Sequence, residues 1–207
     1  MSPRKLLILA SLGLVAVFAG CRKNAVDKSA FESAINTWYS AHPVCVWSAP
    51  VKFPAQADTN NEDQTKGFDA LTDAGMLTRT PEQKKRFLIG SKQVNDYDLS
   101  DKGRSTWTAD SSQPGYGNFC VGHPSVTSID GYTPADTADA AQYSVSYHEA
   151  VKNLPDWANS AEMKTAFPKL AADTSGQQTA TATLVKSNAG WQVTAVSPSA
   201  GSGTLVQ

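Results

Sequence analysis

The hydrophobic pattern changes period along the chain. Leu6 to Phe18 is an uncharged, apolar run interrupted only by Ser11, behind Arg4 and Lys5 and closed by the small residues Ala19-Gly20 ahead of Cys21. The run falls short of the ~20 residues a spanning helix needs. A charged, apolar, then small order is the layout of an export leader, here removed after residue 20. From Val26 to Tyr39 the spacing becomes three and four: Val26, Ala30, Phe31, Ala34, Ile35, Trp38 and Tyr39 share one helical face. Ser29 with Glu32 suits a capping box, and Asn24 or Asp27 could cap equally well. His42-Pro43 ends this helix, because the residue before a proline is driven out of helical geometry.

Alternation then takes over. Val44 to Phe53 reads as a strand with Cys45 and Trp47 opposite Val44 and Val46, confined to an edge or a short piece by Pro50 and Pro54. Gln56 to Gln64 reads as a polar loop whose Asp58, Asn60 and Glu62 lack the glycine and closing glutamate of a calcium loop. Thr65 to Gly75 predicts a short helix stopped by Gly75. Met76 to Arg79 starts a strand whose return lies within Arg86 to Leu99. Thr108 to Gly117 has the composition of a linker and marks the main internal boundary. Beyond it come Phe119 to Tyr132, with turns at Gly122-His123-Pro124 and Asp130-Gly131, and Gln142 to Val151, with Tyr143, Val145 and Tyr147 on one face. Pro155 to Ala172 forms an irregular or helical connection. Thr179 to Lys186 and Trp191 to Val196 flank Asn188-Ala189-Gly190 as a hairpin.

Val17-Phe18-Ala19-Gly20-Cys21 resembles the lipobox of bacterial lipoproteins, with Phe18 where those proteins usually carry Leu. The resemblance implies a diacylglyceryl thioether on Cys21 and an acylated amino group, with palmitate-type chains in the cell membrane or outer membrane. Each buried methylene contributes ~0.8 kcal/mol to such an anchor. Arg22, rather than the Asp that retains some lipoproteins at the inner membrane, favours the outer one. The body would then face the periplasm.

Two further stretches, FDALTDAGMLTRT (68–80) and YDLSDKGR (97–104), resemble the helix-plus-wing segment of winged-helix proteins. That resemblance implies a helix, a hairpin wing and a second helix, with Lys84, Lys85 and Arg86 at the wing. The expected architecture is α+β: a leader at 1–20, a helical and winged-helix-like half at 21–107, and a linker at 108–117. A small antiparallel β-sheet domain at 118–197 and a small-residue tail at 198–207 complete it.

The chain of 207 residues has a formal net charge of −1, which becomes −3 without the leader's Arg4 and Lys5. A body of that sign has no basic surplus to neutralise phosphates, which makes nucleic acid a poor partner and leaves it out of the expected ones.

Cys45 and Cys120 remain for chemistry, and an exported chain favours their pairing. The bridge would close a loop worth on the order of 4 kcal/mol. The alternative uses His42-Pro-Val-Cys45 and Cys120-Val-Gly-His123 as four ligands to a structural zinc. The two exclude each other, because a disulfide has no thiolate to offer a metal.

His148-Glu149 could serve as a base with an orienting carboxylate, although neighbours on a strand point to opposite faces. Asp96, Asp98 and Asp101 invite a metal but suit a strand end and a helix cap better. No nucleophile elbow, zinc-protease pair or phosphate loop occurs. Trp38, Trp47, Trp107, Trp157 and Trp191 are spread one per element, as core anchors are. The expectation is a cofactor-free, non-enzymatic lipoprotein. It would bind or assemble with an envelope protein or a glycan, a hydrolase of envelope polymers being the alternative.

Overall fold

The structure is a computed structural model describing residues 26–85, 91–135 and 140–198. In chain order they form α1 (Lys28–Ser40), β1 (Val44–Cys45), β2 (Val51–Lys52), β3 (Ala55–Asp58), α2 (Glu62–Asp73), β4 (Leu77–Lys85) and β5 (Ser91–Leu99). Next come α3 (Asp101–Thr106), β6 (Trp107–Ala109), β7 (Tyr116–Gly122), β8 (Pro124–Thr133) and β9 (Gln142–Val151). A 3-10 turn (Asp156–Asn159), α4 (Ala161–Ala166), α5 (Pro168–Asp173), β10 (Gln178–Ser187) and β11 (Gly190–Pro198) complete the set. Every strand pairing is antiparallel. The chain is therefore a mixed protein of helices and antiparallel sheets.

Two hydrophobic cores divide the molecule. In the first, α1 lies on a sheet ordered β11-β10-β9-β8. The cap is Asp27, whose carboxylate accepts the Ser29 N–H at 2.9 Å, and not a Ser29–Glu32 box. Phe31, Ile35 and Tyr39, each four residues apart, form the buried stripe of α1. Opposite them, β9 offers Tyr143, Val145 and Tyr147, and β10 offers Ala180, Ala182 and Leu184. The register sets Ala180 beside Tyr147 and Ala182 beside Val145, so small residues make room for larger ones. The hydroxyls of Tyr39 and Tyr147 meet at 2.8 Å, which satisfies two polar groups inside this core. The Asn36 side chain accepts the Val126 N–H at 2.9 Å, where β8 slips register between Val126 and Ser128. The turn expected at Asp130-Gly131 is a second slip, between Ile129 and Gly131, and the strand runs on through it.

The second core gathers Leu71 of α2, Met76, Leu77 of β4, Tyr97 of β5, Phe119 of β7, and Trp157, Met163, Phe167 and Leu170 from the β9–β10 connection. Aromatic contacts run through it: Phe119 meets Trp47, Trp107 and Trp157, and Phe53 bridges Phe68 and Trp107. One sheet is ordered β3-β5-β4. In the other, β7 pairs with β6 along one edge and with β1 and β2 along its opposite edge. A polar network ties α2 to the first sheet: Arg79 and the Tyr97 hydroxyl both donate to Asp69, at 2.7 and 2.8 Å. Gly103 is required because a Cβ there would sit 1.9 Å from the Met76 carbonyl oxygen.

Several sequence expectations need correction. Val44 to Phe53 is not one strand but two two-residue pieces, β1 and β2, with bends between them. The Asn118 side chain replaces a strand partner there, accepting the Trp47 N–H at 3.2 Å and donating to its carbonyl at 2.7 Å. Gln56 to Gln64 is not a loop; it holds most of β3 and the start of α2. Thr108 to Gly117 is no linker, because its ends lie in β6 and β7, which pair with each other. The halves expected at 21–107 and 118–197 are likewise not separate cores. Residues 28–40 pack with the later sheet, and residues 157–170 pack with the earlier helices. The order α2, Gly75, β4–β5 hairpin, α3 matches the resembled segment locally. The hairpin nevertheless carries β3 as a third strand, and α2 packs on α4, which gives a winged-helix domain no support. The leader, Cys21, Asn24, Arg86 and residues 199–207 lie outside the described residues.

Candidate functional site

A groove of about 1090 Å³ runs along the seam where the two cores meet. The end of α1 and the segment after it supply Trp38, Tyr39, His42 and Trp47; α5 supplies Lys169 and Asp173; β9 supplies Glu149. Asn118, Gln177 and Gln178 add amide groups. The sequence places Glu149 there by simple alternation. Tyr143, Val145 and Tyr147 face α1, and the next residue of the same period is Glu149. By that point α1 has ended, so the carboxyl enters the groove instead of a closed core.

Glu149 is the electrostatic anomaly of the site. Burial, with the Asp173 carboxylate adding repulsion, pushes its carboxyl up to about 7. Its Oε2 is sealed from solvent and has no hydrogen-bond partner. Lys169 is already paired with Asp173. The groove is thus lined by two carboxyl groups and one engaged ammonium.

The Cys45–Cys120 disulfide is present, joining β1 to β7 at directly opposed positions. The zinc alternative falls with it. Its two histidines have other partners: His42 Nδ1 lies 2.7 Å from the Trp38 carbonyl oxygen and His123 Nδ1 lies 2.8 Å from that of Tyr39. A carbonyl can only accept, so both imidazoles donate, and together they close the C-terminal end of α1. Those carbonyls also accept the Ala41 and His42 backbone N–H groups, and the partial negative charge of a helix C-terminus explains the pull on ring N–H groups as second donors. His42 also stacks on Trp38, with ring centroids 3.7 Å apart.

The remaining candidates separate. His148 lies on the face opposite Glu149, its Nδ1 2.8 Å from Asp130 and 3.4 Å from the Ser128 hydroxyl. A nucleophile relay needs acid and serine on different ring nitrogens; here both meet the same one, and neither groove contains this trio. Asp96 and Asp98 stay on β5, where Asp98 accepts the Leu99 N–H, while Asp101 opens α3 and Ser100 caps it. Among the described residues no three His, Cys, Asp or Glu side chains converge as a metal site. A second groove of about 620 Å³ between α1 and β11 is lined by Trp38, Trp191 and small or neutral residues, with no ionisable group.

Sequence reasoning considered Glu149 only as a neighbour of His148 and did not single out Lys169, Asp173 or Asn118. The available signal was a charged residue on the core-facing register of an otherwise apolar stripe. No family model matches the chain, and searches of curated proteins and of solved structures return no match.

Proposed function

We propose that this chain is a lipid-anchored binding protein of the bacterial envelope, with Cys21 as its acylated residue and the seam groove as its ligand site. The ligand we assign is a glycan segment. The observation that carries this reading is the groove, where aromatic surface from Trp38 and Trp47 lies beside amides and carboxyl groups from Asn118, Gln177, Gln178, Glu149 and Asp173. Apolar walls with a few placed polar groups are what a small-ligand site requires. Sugar rings offer apolar faces for aromatic rings and hydroxyls for amide and carboxylate partners. The disulfide supports an oxidising compartment, as the leader-like first residues do.

Two experiments test the two parts. Expressed in an exporting bacterium, the full chain should partition with membranes and yield an acylated N-terminal peptide, and Cys21→Ser should abolish both. A soluble wild-type chain with unmodified Cys21 would end the anchor reading. For the groove, the mature chain in a nanodisc is titrated with a soluble N-acetylated oligosaccharide of the peptidoglycan type. The indole N–H signals of Trp38 and Trp47 should move and that of Trp191 should stay. Silence at Trp38 and Trp47 at millimolar sugar would reject the glycan.

A further inference from the structure

The fold surrounds Glu149 with a specific set of groups. Its strand partners are Val126 of β8 and Gln178 of β10, neither of which ionises. From α5 come Lys169 and Asp173, already paired with each other. From the end of α1 and the start of β1 come His42, which donates to α1, and the bridged Cys45. The adjacent His148 faces away, toward Asp130. No element supplies a donor to the sealed Oε2. A neutral carboxylic acid is tolerated in such a place, whereas a carboxylate is desolvated, lacks a donor and faces Asp173.

We propose that Glu149 is a proton-dependent latch on α5: protonated, it lets α5 stay seated across the groove, and ionised, it repels Asp173 and loosens that helix. The consequence for the groove rests on the binding reading above, but the latch itself does not. Its working range follows from burial and the Asp173 charge, which bring the carboxyl to about 7 from an ordinary 4.5. A carboxyl raised in the folded state stabilises below its unfolded value, and that contribution is lost as pH climbs through the folded value. The seat of α5 is therefore firm in mild acid and weak in mild base.

Amide exchange on the full chain tests this. Within and just after α5, the Ala171 N–H bonds the Phe167 carbonyl and the Thr174 N–H bonds that of Leu170. After correction for intrinsic exchange, protection at Ala171 and Thr174 should fall ~10-fold between about pH 5.5 and about pH 8, the fall expected if loosening α5 makes the carboxyl ~10-fold stronger as an acid. The Tyr147 amide in β9 should keep its protection. Glu149→Gln should flatten the dependence, and Asp173→Asn should move its midpoint to lower pH by removing the repelling charge. A wild-type profile that is already flat overturns the latch. So does a profile that survives Glu149→Gln, which would assign the change to a group other than Glu149. Sugar binding and the latch fail separately: flat exchange with the indole shifts intact removes only the latch, and a pH-dependent α5 without indole shifts removes only the glycan.

Discussion

In the core beneath α1, four strands lie in the sheet in their sequence order, and the two central ones, β9 and β10, bury every second residue against one helix stripe. The core beneath α2 is assembled differently. Its strands range from two residues to nine, its sheets are two, and its centre is a set of aromatic rings drawn from segments more than a hundred residues apart, such as Trp47 and Phe167. The first core is regular because repetition makes it so; the second is held by particular contacts and one covalent bond. The chain also passes between them repeatedly. It goes from α1 to the aromatic core, returns for β8 and β9, leaves again for α4 and α5, and returns for β10 and β11. Two cores laced together in this way should lose structure together.

The largest test of that comparison removes one ring from each core. Phe119→Ala and Phe31→Ala, both at fully buried sites, should each cost about 3–5 kcal/mol. Followed by tryptophan fluorescence and far-ultraviolet dichroism, both variants should still unfold in one coincident transition; separate transitions would show that the cores are independent. Replacing both Cys45 and Cys120 by Ala should cost about 2–4 kcal/mol in denaturant unfolding. The early loss should be protection in β1 and β7, with β9 and β10 unaffected until global unfolding.

Glu149→Gln sharpens the comparison at the seam. The ordinary carboxyl value of 4.5 and the folded value of about 7 set the window. Wild type and variant should match near the acid end. The variant should become the more stable by about 1–2 kcal/mol above that window, after discounting for the half of the group that meets solvent. A constant difference across pH in thermal melts would reject the assignment. The smallest effect concerns the hydroxyl pair in the regular core. Tyr39→Phe strands the buried Tyr147 hydroxyl at a cost of about 1–2 kcal/mol, and Tyr39→Phe with Tyr147→Phe should recover most of it. A double variant as unstable as the sum of the singles would remove the pair from the account.

What was legible in the sequence follows the same division. The α1 stripe and the β9 alternation could be read because each element buries one face at its own period, a local property. The strand β3 could not, since Ala55-Gln56-Ala57-Asp58 has little strand character and exists by pairing along β5. Asn118 standing in for a strand at Trp47 is invisible before the fold is known. His42 and His123 stand near cysteines in sequence, which suggests a metal, while their actual partner is the end of a helix. The cysteine pair was legible from compartment and count. Glu149 had a readable register but an unreadable neighbour, because Asp173 arrives from another core.

The lacing of the two cores also sets an order of assembly during synthesis. Helix α1 emerges first, yet its sheet is complete only after Pro198, so its apolar stripe has no final partner for most of the chain's emergence. The Cys45–Cys120 bond becomes possible far earlier, once β7 has emerged. At ~5–20 residues per second, the roughly 80 residues still to come would take on the order of 4–16 s. Through that interval the bond would hold the exit of α1 beside β7, within reach of β8 as it appears. In the mature molecule the bridge is one contact among many; in the nascent one it is the contact that fixes the exit of α1 before its sheet exists.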